Sequence, residues 1–381
     1  MPFTPIQTSL GGFLLHLSTS NLLTDTGRVL GISGVVDGAI HGDGESWRWS
    51  IILGLLFGPA LLSITGLDEL MPDSGTGAWA TQSVGRLALA GMLVGLGTKV
   101  TYVLSGERTM GVSWLTVGHS LVADAPGEVT LVPSALQKIF VDASSGHFLC
   151  GVSRLSPRSL VATATFFTTA LLTANIFPGP IEVPTPAYSL EIPSTTAIAI
   201  LSSAIFTLYL ANSLRRRVLP SSSQPSTPIR LAPYFLQGVT FSLGLVMSGM
   251  VSPSKVISFL RISPTLSTFD PSLAMIVLTG VLPNAIHYAH LKRDGRVKPR
   301  YPWESWRLPT RTDIDWRLAF GSALFGVGWG MSGVCPGPAI VGAGQIGVDW
   351  ARGVGVGAVA RGWAAFALSA VVGMRVAGLT G

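Results

Sequence analysis

The sequence feature that most constrains this chain is a long apolar stretch with a break inside it, Trp316–Gly347. The stretch carries no charged residue after Arg317, and its first part is rich in glycine and serine, which let a neighbouring helix approach closely. Cys335–Pro338 then stops the helix, because proline cannot continue it and glycine tolerates unusual dihedral angles. Irregular backbone survives inside a membrane only where it lines a cavity or is buried in protein. The break therefore predicts a functional site in a membrane protein.

The composition of the whole chain supports a membrane location. Of its 381 residues, 48% are hydrophobic and 12% are charged, and the mean hydropathy is +0.51. Soluble domains carry about 25% charged residues. We therefore predict an all-α fold, a polytopic transmembrane helical bundle with an internal repeat, which we take to be inverted, and with broken or re-entrant helices.

The positive charge is concentrated in two loops, around Arg215–Arg217 and along Lys292–Arg311. We interpret both as cytoplasmic loops of a membrane protein that contact anionic lipid headgroups. The net charge of +6 is modest and is accounted for by membrane topology, so nucleic-acid binding is not expected. The sequence also lacks a phosphate loop and a metalloprotease motif, and we expect no cofactor and no metal.

Spans of adequate length recur along the chain, and we predict about nine or ten crossings plus re-entrant pieces. The best are Trp47–Leu67, Val84–Val100, Arg158–Phe177, Ser194–Leu214, Leu231–Met250, Pro271–His290, Trp316–Gly347 and Ala351–Leu379. Gly11–Leu23 and Arg28–Ile40 are shorter than the roughly 20 residues that a span needs. Together they predict a helix–break–helix pair that dips into the membrane.

The opening stretch has a counterpart earlier in the chain. Arg86–Ala88 matches Arg317–Ala319 at an offset of 317 − 86 = 231, and Gly97 matches Gly328 at the same offset. Chance similarity between helices rich in glycine, alanine and leucine is the alternative explanation.

A second match supports a duplication of the chain. Gly12–Val29 resembles Gly238–Val256, which places Arg28 opposite Lys255 after a one-residue gap. We predict a first half at residues 1–177, a connecting span with a Ser/Pro-rich loop at 178–230, and a second half at 231–381. Two related halves with broken segments are typical of transporters whose site lies at the repeat interface near the middle of the membrane.

Five segments resemble the YeeE/YedE-type sulfur transport family, in its fused two-half form. They are GVGWGMSGVCPGPAIV (Gly326–Val341), SGHFLCGVSRLSPRSLVAT (Ser145–Thr163), FSLGLVMSGMVSPSKVISFL (Phe241–Leu260), FDPSLA (Phe269–Ala274) and GRVLGISGVV (Gly27–Val36). This family is associated with thiosulfate uptake. The resemblance implies a pseudo-symmetric membrane fold in which cysteines and small-residue loops line the ion path.

The chain departs from the family pattern at Thr101–Asp142. The pattern places about three residues between the GT[KR]V motif and a cysteine, but here the longer segment intervenes and Ala143 takes the place of that cysteine. We interpret the segment as an insertion or a gene-model error such as a retained intron, and a genuine regulatory loop is the alternative.

The resemblance implies a substrate path but no catalytic residue. The path comprises Lys99, Ser145, Gly146, His147, Cys150, Lys255, Gly333, Cys335, Pro336 and Gly337. Backbone N–H groups at the starts of broken helices supply hydrogen-bond donors and a favourable dipole for an anion. Neutral thiols add weak S–H donors and a polarizable surface, so we expect both cysteines to be protonated at rest.

These observations favour a transporter or facilitator for thiosulfate or a related sulfur-containing anion, in a multi-pass protein of the plasma membrane. Two alternatives stay open. Cys150 and His147 could form the reactive pair of a membrane-bound sulfurtransferase-like enzyme, since catalysis needs an activated thiolate beside a base. A scaffold or sensor without transport is the other. The expected partners are the sulfur anion and the lipid bilayer, and a sulfur-handling protein is a further candidate.

Overall fold

A computed structural model describes nine ranges of the chain: residues 3–42, 45–70, 77–103, 151–179, 190–218, 226–262, 268–294, 298–308 and 314–379. Within them lie the following α-helices: α1 (Pro5–Thr26), α2 (Ile32–His41), α3 (Ser46–Thr65), α4 (Gly77–Thr81), α5 (Val84–Val103), α6 (Pro157–Ile176), α7 (Thr195–Val218), α8 (Thr227–Met247), α9 (Pro253–Leu260), α10 (Leu282–Arg293), α11 (Trp316–Ser332), α12 (Pro336–Ala351) and α13 (Gly357–Leu379). The described residues form no β-strand longer than an isolated bridge, so the predicted all-α fold is confirmed.

Seven helical stretches of the described chain are long and apolar enough to cross a membrane. They are Ser46–Thr65, Pro157–Ile176, Thr195–Leu214, Thr227–Met247, Pro271–Arg293, Trp316–Ala351 and Gly357–Gly378. The protein is therefore an integral, multi-pass membrane protein. The estimate of nine or ten crossings exceeds this number, and α1, which is long but rich in polar residues, is not among the seven.

The first helix is longer than the sequence predicts. Gly11–Leu23 looks too short to span, yet α1 runs for 22 residues, about 33 Å. Its polar side chains, among them Ser18 and Asn21, are buried in the bundle. Ser18 donates to the carbonyl of Gln237 on α8 over 2.7 Å. Hydrogen bonds to other parts of the protein therefore satisfy the polar groups of α1, so this helix does not need the apolar composition of a lipid-facing helix.

The predicted span Pro271–His290 is helical but not uniformly α-helical. It begins with a 3₁₀ turn, Pro271–Ala274, and continues through a π-helical turn, Val277–Val281, into α10. Pro283 lies at the start of α10 and has no N–H for the helical ladder, so a wider turn before it relieves the mismatch.

Helices α1 and α8 pack against each other in opposite directions. Thr8, early in α1, donates to the carbonyl of Ser248 just after α8, whereas Ser18, later in α1, reaches Gln237 in the middle of α8. Helices α5 and α11 are antiparallel as well, because Gly97 lies against Gly321 and Gly328 lies against Ala90.

The remaining helix contacts recur in pairs between the two predicted halves. Helix α3 packs on α8, and the π turn and α10 pack on α1. Helix α13 packs on α5, and α6 packs on α11. In each pair of contacts, the helices of the first half and of the second half exchange roles. This reciprocity supports the predicted inverted duplication, whose exact boundaries remain a prediction.

The two basic segments lie at the same end of the bundle. Helix α7 runs antiparallel to α8, because Leu201 and Ile205 pack with Met247 whereas Asn212 accepts a hydrogen bond from Gln237 over 3.0 Å. Helix α7 therefore ends towards the start of α8, where α1 also ends. The loop after α10 reaches the same end, where Arg307 donates through its backbone to the carbonyl of Gly27. Two basic loops at one end of the bundle require an even number of crossings between them, and the two stretches Thr227–Met247 and Pro271–Arg293 meet this requirement.

Candidate functional site

The predicted break between α11 and α12 is present. Gly333 ends α11 in the left-handed conformation, with φ of 71°, and its N–H donates to the carbonyl of Trp329 over 2.7 Å. A Cβ at Gly333 would lie 2.5 Å from the carbonyl oxygen of Pro253, so both backbone geometry and space require glycine here. Cys335 follows as the N-cap of α12, with Pro336 as its first helical residue.

Three helix N-termini meet around this break. Gly333 contacts Pro253, the first residue of α9, while a Cβ on Gly337 of α12 would lie 3.8 Å from a side-chain carbon of Ile32, the first residue of α2. Each of the three helices starts after an interruption and carries the positive end of its dipole at its start. The half-buried free thiol of Cys335 therefore lies among backbone groups suited to an anion.

Four of the predicted site residues lie outside the described part of the chain: Ser145, Gly146, His147 and Cys150. Ala143 and nearly all of the segment Thr101–Asp142 lie outside it too. The structure therefore places Gly333, Cys335, Pro336 and Gly337 together at the break, without testing the other cysteine signature.

Lys99 is paired with a carboxylate. Its Nζ lies 2.7 Å from Oδ2 of Asp37 on α2, and the other oxygen of Asp37 lies 2.8 Å from Nδ1 of His41. Lys99 and Asp37 are buried, and their ion pair connects α2 to α5. Asp37 was a missed candidate, although a single carboxylate inside an apolar segment is itself a signal of function.

Lys255 is paired in the same way. Its side chain is 2% exposed and its Nζ lies 3.5 Å from Oδ2 of Asp270, while it also donates to the hydroxyl of Thr4. The stem of Lys255 packs over Gly249, where a Cβ would lie 2.5 Å from its Cδ. This ion pair therefore fixes the break between α8 and α9.

A larger network, which the sequence did not reveal, fixes the break between α1 and α2. Arg28 donates to Glu45 over 3.0 Å and to the hydroxyl of Tyr234 over 3.1 Å. Arg307 donates to the second oxygen of Glu45 over 2.7 Å, and the Arg28 guanidinium lies 4.4 Å from the ring centroid of Trp47. The break between α1 and α2, the start of α3, helix α8 and the loop after α10 thus meet at the buried side chain of Arg28.

Glu45 is ionised by this surrounding network. Burial alone would raise the pKa of its carboxyl, but hydrogen bonds from Trp47 and Arg307 and the charges of Arg28 and Arg307 lower that pKa to about 2. The carboxylate therefore holds its two arginines throughout the neutral range.

The sequence alignment that placed Arg28 opposite Lys255 is reproduced only in part. Arg28 lies in the break before α2, whereas Lys255 lies inside α9. Each cation nevertheless pairs with a carboxylate just before the next long helical stretch: Glu45 precedes α3, and Asp270 precedes the 3₁₀ turn that leads into α10.

Comparison with known proteins identifies relatives for this membrane fold. Residues 229–376 match a family described as a family of unknown function, DUF6691. A protein of Xylella fastidiosa (strain 9a5c) named "Probable transporter" is 41% identical over 103 residues, which is 27% of this chain and 67% of the relative. No solved structure matches the chain.

Two further relatives cover more of the chain. A second "Probable transporter" from the same strain is 30% identical over 166 residues, 44% of this chain and 90% of the relative. Its counterpart in Xylella fastidiosa (strain Temecula1 / ATCC 700964) is 32% identical over the same share of each chain. At this identity and coverage, the chain belongs to the same family as these probable transporters.

Proposed function

We propose that this protein is a transporter or facilitator, not an enzyme, which passes thiosulfate or a related sulfur-containing anion across the plasma membrane. The observation that carries the proposal is the convergence of three helix N-termini on the break that holds Cys335. The names of the relatives support transport, and the resemblance of the two cysteine signatures to sulfur transport proteins supports the substrate class.

The chemistry of the break suits a sulfur oxyanion. A divalent anion that leaves water loses its hydration, and the loss is costly unless donors replace it. The starts of α2, α9 and α12 offer backbone N–H groups and positive dipole ends without a full positive charge that would trap the ion. The thiol of Cys335 adds a weak donor and a polarizable contact for sulfur.

The ion-paired lysines have a supporting role in this proposal. Lys99 and Lys255 are each neutralised by an aspartate, so they position α2 and α9 rather than binding the anion directly. Ser145, Gly146, His147 and Cys150 complete the path from the first half, on the strength of their sequence pattern. A sulfur-handling protein at the cytoplasmic end is the partner that the proposal implies.

The test is uptake of labelled thiosulfate by cells that lack other thiosulfate routes and express the full chain. We expect uptake that unlabelled thiosulfate and sulfite reduce more strongly than sulfate does. Uptake equal to that of cells without the protein would contradict the proposal. Chemical conversion of thiosulfate without its movement into the cell would favour the sulfurtransferase alternative instead.

A further inference from the structure

A buried indole N–H lies close to the break and has no partner among the described residues. Trp79, on α4, is 1% exposed, and its ring packs edge-on against Phe366 with centroids 5.9 Å apart. Its Nε1 donates to no group that the structure describes. Buried tryptophan N–H groups usually find a partner, because an unpaired donor lowers stability. An exception in a well-packed interior calls for a specific explanation.

The segment that carries Trp79 is fixed to the end of α11. Gln82 donates to the carbonyl of Ser332 over 3.2 Å, and Arg86 donates to the carbonyl of Met331 over 3.0 Å. These bonds satisfy carbonyl groups that the end of a helix leaves open. Trp79 is thereby held beside the two helices that flank Cys335.

The indole nitrogen lies close to α12 at Gly342. A Cβ on Gly342 would lie 3.9 Å from Nε1 of Trp79. Gly342 follows Cys335 by seven residues, which is about two helical turns, so both lie on the same face of α12 about 10 Å apart. The unpaired donor therefore lies along the line of the proposed substrate path.

Packing does not explain the glycine at this position. At Gly344 a Cβ would lie 2.4 Å from the carbonyl oxygen of Leu56, so that glycine is required by the contact with α3. At Gly342 and Gly337 an added Cβ would make only ordinary van der Waals contacts. Glycine at position 342 therefore leaves no side chain between α12 and the Trp79 nitrogen.

We propose that the Trp79 N–H is an anion-binding donor of the substrate path, which binds an oxygen atom of a small oxyanion beside Gly342. An indole N–H only donates, carries no charge and does not titrate. It can therefore bind an anion oxygen without trapping the ion as a lysine would. The inference deepens the proposed function, on which its choice of a sulfur oxyanion rests.

The test compares the full-length protein with Trp79→Phe, which keeps an aromatic ring but removes the N–H. Thermal unfolding of the purified proteins would be followed with added thiosulfate, sulfite or sulfate, and the KM for uptake would be measured in proteoliposomes. Without anion, we expect Trp79→Phe to unfold at a somewhat lower temperature, because the smaller ring leaves a cavity, but to lose less stability than Trp363→Phe, which also loses a satisfied hydrogen bond. The anion affinity of Trp79→Phe should fall about 10- to 100-fold, the usual effect of losing a hydrogen bond to a charged group.

Two further variants separate binding from structure. Gly342→Ala adds a methyl group 3.9 Å from Nε1 of Trp79 at little steric cost, so it should reduce anion affinity and barely change the unfolding temperature. Trp363→Phe is the matched control, because the Nε1 of Trp363 donates to the carbonyl of Ala339 over 2.7 Å. Its loss should lower the unfolding temperature, with a smaller effect on affinity than Trp79→Phe.

The outcomes distinguish this site from the transport proposal. Normal thiosulfate uptake and affinity in Trp79→Phe would overturn the role of Trp79 and leave the proposed function standing. A different outcome is that an anion stabilises the wild type but not Trp79→Phe, while the wild type does not move thiosulfate. This result would support the anion site and contradict the proposed function. A wild type that no anion of the panel stabilises, with a KM unchanged in Trp79→Phe, would overturn the inference.

Discussion

Gly97 and Gly328 make reciprocal contacts across the interface of α5 and α11. A Cβ on Gly97 would lie 2.6 Å from the carbonyl oxygen of Gly321, and a Cβ on Gly328 would lie 2.6 Å from that of Ala90. The offset of 231 found in the sequence carries Gly97 onto Gly328 and Ala90 onto Gly321. The two predicted halves therefore meet through equivalent backbone contacts in antiparallel helices, as expected for an inverted repeat.

We predict that Gly97→Ala and Gly328→Ala destabilise the protein to a similar degree. Each methyl group would overlap the backbone of the partner helix, and overpacking of this kind costs about 1–3 kcal/mol. Thermal unfolding of the purified variants in detergent measures the effect. Gly85→Ala is the control, because nothing lies within 4 Å of its added Cβ. A loss of stability in only one of the two interface variants would argue against equivalent contacts.

We predict that Asp270→Asn destabilises the protein more than the double variant Lys255→Met/Asp270→Asn. Removing one partner of a buried ion pair leaves an uncompensated charge and typically costs about 3–5 kcal/mol, whereas removing both charges costs less. The relevant measurement is the free energy of unfolding of both single variants and the double variant. Additive effects would show that the 3.5 Å contact of Lys255 with Asp270 contributes no coupling.

We predict that the stabilising effect of Glu45 disappears at acid pH. The pKa of Glu45 is about 2 in the folded protein, below its ordinary value of 4.5. A carboxyl with a lowered pKa contributes its full stabilisation above its ordinary pKa, and the contribution is lost as pH falls towards the folded pKa. Glu45→Gln should therefore reduce stability at pH 7, by about 1–3 kcal/mol, the usual contribution of charged hydrogen bonds.

The measurement is the difference in unfolding free energy between wild type and Glu45→Gln across this range. The difference should be constant from pH 7 to about pH 5 and shrink between pH 4.5 and 2. Glu191→Gln, a carboxylate whose residue is exposed, is the control. A difference that stays constant down to pH 2 would contradict the assigned protonation.

Local sequence signals predicted much of the helical architecture. The break at Cys335–Pro338 was readable because proline and glycine act on the backbone of their own segment. The length of α1 was not readable, because Ser18 and its polar neighbours are satisfied by α8, a distant part of the chain. Composition alone cannot separate such a helix from a loop.

The charged groups of the site were the least predictable feature. Lys99 and Lys255 were predicted as residues of the substrate path, but their partners depend on the folded arrangement. Asp37 is 62 residues from Lys99 in the chain, so no local pattern connects them. Trp79 carried no signal either, because an unpaired N–H is a property of the packed structure.

The central claim is that Cys335 lies in the path of a transported sulfur anion. Its most direct test is the initial rate of labelled thiosulfate uptake into proteoliposomes containing wild type, Cys335→Ala or Ser203→Ala, with folding checked by thermal unfolding. Ser203→Ala is the control, because this exposed side chain of α7 bonds only within its own helix. We predict wild-type uptake for Ser203→Ala and at least about a tenfold loss for a folded Cys335→Ala, the effect of about 1.4 kcal/mol on the barrier. Wild-type uptake by Cys335→Ala would contradict the account.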